Sequence, residues 1–524
     1  MCVVTATEHI VAGMLLCSFE IYQSSSTSDQ WIIYLGGVMT VLRAISSQVS
    51  CPLDTDMTIL LDWVYYFNVS ARLALVLWRE ASTTDIPFFP PNIFHSEAYF
   101  CPTAGIFLHA QSAVSGMRLD LNRPILEPIG AGIQLSPNAT RLLKHWGVFD
   151  EVSKYADQPH AGTFRSYLGD IVSQSPPVSH PDFVNEAPYL VIHRADLLRS
   201  LLSGTGSQNI DIRLDSDVQE IDFQKPSLRL SNGQLYIADL ILGADGERSR
   251  CRARLLRRDD PPYCSGDVVY RVAVPMENIS EDHLAWELKT RSTVNFWMGH
   301  RGHVVSYLIR HDILNIVLVY AGGSGTTSYG PQTADMEEFR SKILGWDPIL
   351  QELTRIEGAT CTKWTLFQIH ELAQWRHESG RFCLIGDAAH AILPCLAQGA
   401  AQAFEDAGVL GAIFSQVDSP GQIPEALRVF EALRKPRMSH VRHRTLDQKV
   451  MFALPEGPQR EERDTKLRAG GDHALYNWLW GYDAAASGKE AWKQLSTQAG
   501  ENIDNPGLER FQSKVTKSPI MLEL

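Results

Sequence analysis

One stretch constrains the fold of this chain more than any other: residues 381–408, reading RFCLIGDAAHAILPCLAQGAAQAFEDAG. Phe382, Cys383, Leu384 and Ile385 form a short apolar run that ends at Gly386 and Asp387. Such a run predicts a strand covered on both faces, the habit of parallel sheets wrapped by helices. Ligands bind such sheets where the strands end, and Asp387 stands at that edge. A carboxylate there can accept hydrogen bonds from sugar-chain hydroxyls, each worth about 1.5–3 kcal/mol when charge-assisted. Pro394 stiffens the following loop. Gln398, Gly399 and Ala400 then open a helix of small residues, whose free amides favour negative charge on a bound group. His390 reads as a structural residue.

Two further turns have the same character. ILGADGERSRCR, residues 241–252, is an apolar strand running into Gly243-Ala244-Asp245-Gly246, with a helix beginning just after. Gly246 permits close backbone approach, and the helix start favours an anion. Asp245 has two readings: it accepts hydrogen bonds from ribose hydroxyls, or it caps the helix. In HRADLL, residues 193–198, Arg194 stands at a strand–helix junction, where a guanidinium suits a pyrophosphate or a sugar-chain oxygen.

Asp387 follows Asp245 by 142 positions, which leaves room for a separate sheet domain. Between 264 and 370 the runs DVVYRVAVP, STVNFWMGH, HVVSYLIR and ILNIVLVYA alternate as strands do and predict a largely antiparallel sheet. Residues 211–246 read as a β-meander turned at Asn232-Gly233 and closed by a buried strand. Around 119–150 a glycine-rich turn leads into a helix beginning near Pro137, and 189–202 is a short strand followed by a helix. Beyond about 420 the chain is helical, with an aromatic cluster LYNWLWGYD at 475–483.

Composition narrows the partners. A formal net charge of −13 repels polyphosphate backbones and argues against nucleic acid as a partner. Nine cysteines show no C-x-x-C pair and no zinc-ligand spacing, as expected of a reduced compartment. No basic segment precedes the first apolar run, so no signal peptide is expected. The apolar run at 31–42 is short for a bilayer span, and the run at 60–78 is broken by Asp62, Asn68 and Arg72. A cytoplasmic protein without membrane attachment is the expectation.

Arg194, Asp245 and Asp387, in that order and in those turns, form a specific set. With IGAGIQLSPNATRLL, HRADLL, GADGERSRCR, GDAAHAILPCLAQGAAQAFEDAGVL and the late WLWGYD, the chain resembles the flavin-dependent aromatic hydroxylases, particularly their salicylate-hydroxylase-like fungal branch. The resemblance spans about 119–485 and implies an α/β fold. A Rossmann-like FAD-binding domain would occupy 118–262 and 371–430. An inserted, mostly antiparallel substrate sheet would occupy 263–370, and a helical region 431–524. It also implies that NAD(P)H reduces the FAD and that O2 then adds, giving a flavin hydroperoxide that attacks a phenolic ring, as in secondary metabolism. Arg194, Asp387, Ala400 and backbone near Gly132 match FAD contacts of this family. Asp245 matches its bifunctional FAD and NAD(P)H residue. Arg271 and Tyr307 match its substrate-facing arginine and tyrosine, a pair suited to hold and orient a phenolate or carboxylate.

The amino end departs from that pattern. The family opens with a strand, a G-x-G-x-x-G turn and a helix. Nothing before IGAGIQ has that spacing, neither Gly36-Gly37 nor Gly105 to Gly116. The character of the chain changes near 118, so residues 1–117 read as an atypical segment introduced by a wrong gene model. Two other functions stay open from sequence: a flavin epoxidase or halogenase of the same fold, though the W-x-W-x-I-P signature of halogenases is absent, and a remnant unable to hold FAD.

Overall fold

The computed structural model describes residues 117–120, 132–175, 187–204, 210–213, 216–277, 279–322 and 331–501. Both early apolar runs and the whole atypical segment up to 116 lie outside the described residues. So do 121–131, which include Gly130 and Ala131.

The first part of the described chain alternates short strands and helices. β1 is Met117–Asp120, and β2, Gly132–Leu135, runs straight into helix α1, Pro137–His145. α1 begins where expected because Pro137 occupies its first turn, where the missing N–H is harmless. β3 (Ala156–Asp157), β4 (Ala161–Ser166), β5 (Ile171–Ser175) and β6 (Leu190–His193) follow. Helix α2, Arg194–Ser203, is capped by the His193 ring, whose Nδ1 accepts from the Ala195 amide at 3.2 Å. β7 is Ile210–Arg213. The meander β8 (Val218–Asp222), β9 (Ser227–Leu230) and β10 (Leu235–Ile237) turns at Gly233, φ 84°. β11, Ile241–Gly243, leads to α3, Arg250–Leu256.

The next strands build the large sheet: β12 (Tyr263–Pro275), β13 (Thr293–Gly299), β14 (Gly302–Ile309), β15 (Ile313–Ala321), β16 (Gln332–Thr333) and β17 (Thr360–Gln368). Its eight strands run β16-β17-β12-β15-β14-β13-β4-β5. Seven neighbouring pairs make it, and only β13 with β4 is parallel. The sheet therefore takes two strands from 161–175, outside the 263–370 span expected from sequence. Alternation sorts its faces. Val268, Tyr270, Val272, Val304, Leu308, Leu314, Ile316 and Leu318 point to one side. There they pack on Phe339 of α4 (Met336–Lys342) and on Leu350 and Leu353 of α5 (Pro348–Leu353). Arg271, Tyr307 and Asn315 have the opposite parity and point to the other side.

β18, Phe382–Leu384, is buried throughout and pairs in parallel with β11. Helix α6, Gly399–Phe414, is buried from Ala401 to Phe414, its small residues allowing close approach of α1. α7 (Ile423–Phe452), α8 (His473–Trp480) and α9 (Ala484–Glu501) complete the helical end. β1 and β7 form a second parallel pair, and no strand among the described residues joins it to β11–β18. No described helix is long and apolar enough to cross a membrane.

Candidate active site

Arg271 and Asn315 stand on neighbouring strands, with the Arg271 Nε donating to Asn315 Oδ1 at 2.6 Å. Arg271 is 7% exposed, and burial pulls its guanidinium down to about 10. No carboxylate among the described residues pairs with it, and the nearby Tyr307 phenol favours its charged form. Asn315 is fully buried, and its Nδ2 has no partner. Tyr307, directly opposite Asn315 in the β14–β15 ladder, is 3% exposed. Burial pushes its hydroxyl far above the usual phenol range, against the pull of Arg271 and Gln134, so it stays protonated.

Strand β2 abuts these residues. A Cβ on Gly132 would lie 2.6 Å from Tyr307 Cε2 and 3.0 Å from Asn315 Cγ, so only glycine fits there. The sequence reading placed backbone near Gly132 against FAD; the structure places Gly132 against Tyr307 and Asn315 of the eight-stranded sheet. Tyr189 donates to Gln134 Oε1 at 2.6 Å, and its ring meets Trp480 edge-on at 5.8 Å. Tyr189, Val191, Val294, Val305, Tyr307 and Ile309 form one apolar wall, on which Trp480 packs. The Trp480 carbonyl is held by Arg141 Nη1 at 2.9 Å, which pins the WLWGYD segment to α1.

The other predicted residues gather at strand ends. β11 and β18 are adjacent and parallel, so Asp245 and Asp387 leave the same edge of one ladder. Arg252 ties the two turns together by donating to the Ala388 carbonyl at 3.1 Å. Asp245 accepts from the Ser249 hydroxyl and from the Cys251 amide at 2.9 Å, in the first turn of α3, whose N-cap is Ser249. Its remaining lone pairs are open to a ligand. Glu247, which the sequence reading passed over, is half-buried; burial first and Asp387 second push its carboxyl up to about 7. Arg194 is exposed at the start of α2, beside the His193 that pairs with Gly132.

A buried polar network joins these parts. Asn138 donates to Gln398 Oε1 at 3.1 Å and to Glu405 Oε1 at 2.7 Å, linking α1 to the turn before Ala400. Asp406 accepts from the Gly386 amide at 2.8 Å and pairs with His390 Nε2 at 2.6 Å, which makes His390 structural, as expected. Arg434 of α7, fully buried, donates to Asp406 at 2.8 Å and to Glu405 at 2.5 Å. Asp387 itself is left half-buried at the ligand edge.

Residues 127–445 match the family described as FAD binding domain, and residues 3–112 match a different one, fungal specific transcription factor domain. An FAD-dependent monooxygenase of Beauveria bassiana (strain ARSEF 2860) is 35% identical over 409 residues, covering 73% of this chain and 93% of that protein. A 3-amino-4-hydroxybenzoate 2-monooxygenase of Streptomyces platensis is 32% identical over 367 residues, 68% of this chain and 88% of that protein. The structure of a salicylate hydroxylase in complex with substrate superposes with a TM-score of 0.63 at 23% identity, covering 75% of this chain and 96% of that one.

The residues present fit FAD at its ring end. Asp387 stands free at the strand end, and a Cβ at Gly399 would meet nothing within 4 Å, so the first turn of α6 is open to a ligand. At the adenosine end the fit is incomplete, since the sequence has no G-x-G-x-x-G turn. Sequence, fold and site agree on one assignment: the chain belongs to the FAD-binding-domain family, as an FAD-dependent monooxygenase of the aromatic hydroxylase type.

Proposed function

We propose that the chain hydroxylates an aromatic ring carrying a phenolic or carboxylate oxygen, with NAD(P)H as reductant and O2 as co-substrate. Arg271 carries this reading: a guanidinium 7% exposed that is bonded to Asn315, lies near Tyr307 and has no carboxylate partner among the described residues. A buried charge without a counter-ion is strongly unfavourable, and a ligand oxygen bearing negative charge relieves it. The Streptomyces relative is named for a hydroxybenzoate, a ring with both kinds of oxygen.

Bound FAD supplies the redox chemistry that activates O2 for transfer of one oxygen atom to a ring. The chain's own residues do the rest. Asp387, Arg194 and the amides at Gly399 and Ala400 would hold the cofactor, and Asp245 would meet it or NAD(P)H with its spare lone pairs. Arg271 stabilises the ring oxygen as an anion, and Tyr307 orients it. The wall of Val294, Val305, Ile309 and Trp480 keeps water from the reacting face. The test is a panel of salicylic and resorcylic acids with NAD(P)H and O2. Oxidation of NAD(P)H coupled to a hydroxylated product is expected, and a flavin-loaded protein inert to every ring would refute the reading.

The missing turn favours a second reading, a remnant that folds without retaining FAD. Colour separates the two: a flavoprotein absorbs near about 450 nm, whereas a remnant stays colourless after incubation with FAD. The separate matches at 3–112 and 127–445 support our reading that the amino-terminal segment was joined to the chain by a wrong gene model. A transcript that reads straight through both parts removes it.

A further inference from the structure

We propose that Asn315 is a positioning residue that sets the charge selectivity of the site: its amide aligns the Arg271 guanidinium without cancelling it, and so reserves that charge for an anionic ring substrate. The proposal rests on the reading above that Arg271 meets the substrate.

Strand β15 lies between β12 and β14 in the large sheet. Asn315 stands opposite Ala273 of β12 on one side and Tyr307 of β14 on the other. Arg271 is opposite Val317, two positions along β15, so the three polar side chains share one face. The nearest places around Asn315 on that face are aliphatic, Ile313 and Val317 along its own strand and Ala273 across from it. An amide is unfavourable there, because its Nδ2 is buried without a hydrogen-bond partner. Leucine, of similar volume, would fill the place without stranding a donor. Packing therefore does not account for the amide, and its bond to Arg271 does.

Arg271 has donors only, so the atom it meets at 2.6 Å is the amide oxygen. That acceptor holds Nε, and with it the plane of the guanidinium, yet brings no negative charge. The other deeply buried arginines differ. Among the described residues five arginines are buried: Arg252, Arg271, Arg434, Arg437 and Arg463. Arg252 pairs with Asp260 at 2.8 Å, Arg434 and Arg437 with Glu405 at 2.5 and 2.7 Å, and Arg463 with Asp464 at 2.6 Å. Arg271 alone is met by an amide. Aspartate has nearly the shape of asparagine and would offer the same oxygen with a charge on it, as these carboxylates do. The neutral acceptor thus separates alignment from neutralisation. Where water is largely excluded, an unanswered charge is a strong attraction for an ionised ring oxygen or carboxylate, and it disfavours an amine cation.

The probes are salicylate and salicylamide, alike in shape and differing by one charge at neutral pH, titrated by calorimetry into the purified flavoprotein. The wild-type protein should bind salicylate more tightly. Asn315→Asp should weaken salicylate about tenfold or more, the scale of a hydrogen bond to a charged group. It should change salicylamide less than about threefold, because Coulomb attraction acts on the anion alone. Asn315→Leu removes the acceptor and adds no charge, so it should weaken both probes and leave salicylate the tighter. Equal losses of both probes in Asn315→Asp signify a packing defect and overturn the proposal, as does unchanged salicylate binding. Wild-type protein that binds the two alike, or binds neither, also overturns it. If the aspartate variant does not fold, Asn315→Leu decides: salicylate held as tightly as in the wild type, or a lost preference for it, sinks the proposal. Arg271→Ala separates the two levels of the argument. If it leaves salicylate affinity and preference unaltered, Arg271 does not meet the ligand and the underlying site reading falls too. If it abolishes the preference while Asn315→Asp retains it, only the role of Asn315 falls.

Discussion

Arg271 and Asn315 are bonded across adjacent strands, Nε to Oδ1 at 2.6 Å, and Tyr307 stands directly opposite Asn315 on the next strand. Because Nε is occupied, the two terminal nitrogens of the guanidinium keep a fixed plane, the geometry that suits a carboxylate or phenolate. Arg271→Ala should lower kcat/KM by about 100-fold or more, the scale seen when a preorganised donor to developing charge is lost. Bound flavin should be retained. Asn315→Ala, which frees the guanidinium without removing it, should lose less. Steady-state kinetics with flavin content measured in parallel checks both.

Asp387 stands at the ligand edge of β18. Asp387→Ala should weaken FAD by about 10- to 100-fold, equivalent to losing charge-assisted hydrogen bonds of about 1.5–3 kcal/mol. Fluorescence titration of apoprotein with FAD measures it, and an unchanged Kd refutes the assignment.

Glu247 gives the site a pH dependence. Burial first and Asp387 second raise its carboxyl from 4.5 to about 7. The folded protein therefore holds this proton more tightly than the unfolded chain does. The resulting stabilisation is full below pH 4.5 and is lost as pH rises through 7. Glu247→Gln should flatten that part of the melting-temperature profile, read by calorimetry across the same window.

Arg434 faces Glu405 and Asp406, all three fully buried. Arg434→Met strands two carboxylates without their main counter-charge, and breaking a buried pair from one side costs about 3–5 kcal/mol. A large drop in the denaturation midpoint is expected. A change within error would show that Arg437 and Asn138 carry Glu405 alone.

Gly132→Ala should be more harmful to turnover than to folding. The added methyl meets the buried Tyr307 ring, 2.6 Å from Cε2, which must shift. Overpacking of this kind costs about 1–3 kcal/mol. A lower kcat/KM with near-normal flavin content is the expected result.

Much of this was legible in the chain because local signals and tertiary structure agree. The alternation in β12 to β15 marked the strands, while Arg271 and Tyr307 were singled out by the family resemblance alone. Pro137 marked a helix start, Asn232-Gly233 a hairpin, and the apolar run into Asp387 a parallel strand. What escaped depends on partners far away in sequence. Asn315 is a lone polar residue in ILNIVLVYA, and nothing local says that it meets Arg271. The bond from Tyr189 to Gln134 forms because β2 and β6 pair, which neither segment announces. Asp245 offered two readings with identical sequence cues, and its bonds to Ser249 and Cys251 could not be foreseen from either. β4 and β5 were assigned to the nucleotide domain, since strand order in a sheet leaves no mark on the strands themselves.

The parallel pairing of β4 with β13, Ala161 opposite Thr293, sews the two halves of the molecule together at a point no linker crosses. A fragment cut at the boundaries of the inserted sheet would lose its two outer strands and bare the flank of β13, an invitation to self-association. Closure of so distant a pair is slow. The eight-stranded sheet is thus not a module that can be transplanted by its later strands alone, and engineering it means carrying β4 and β5 along.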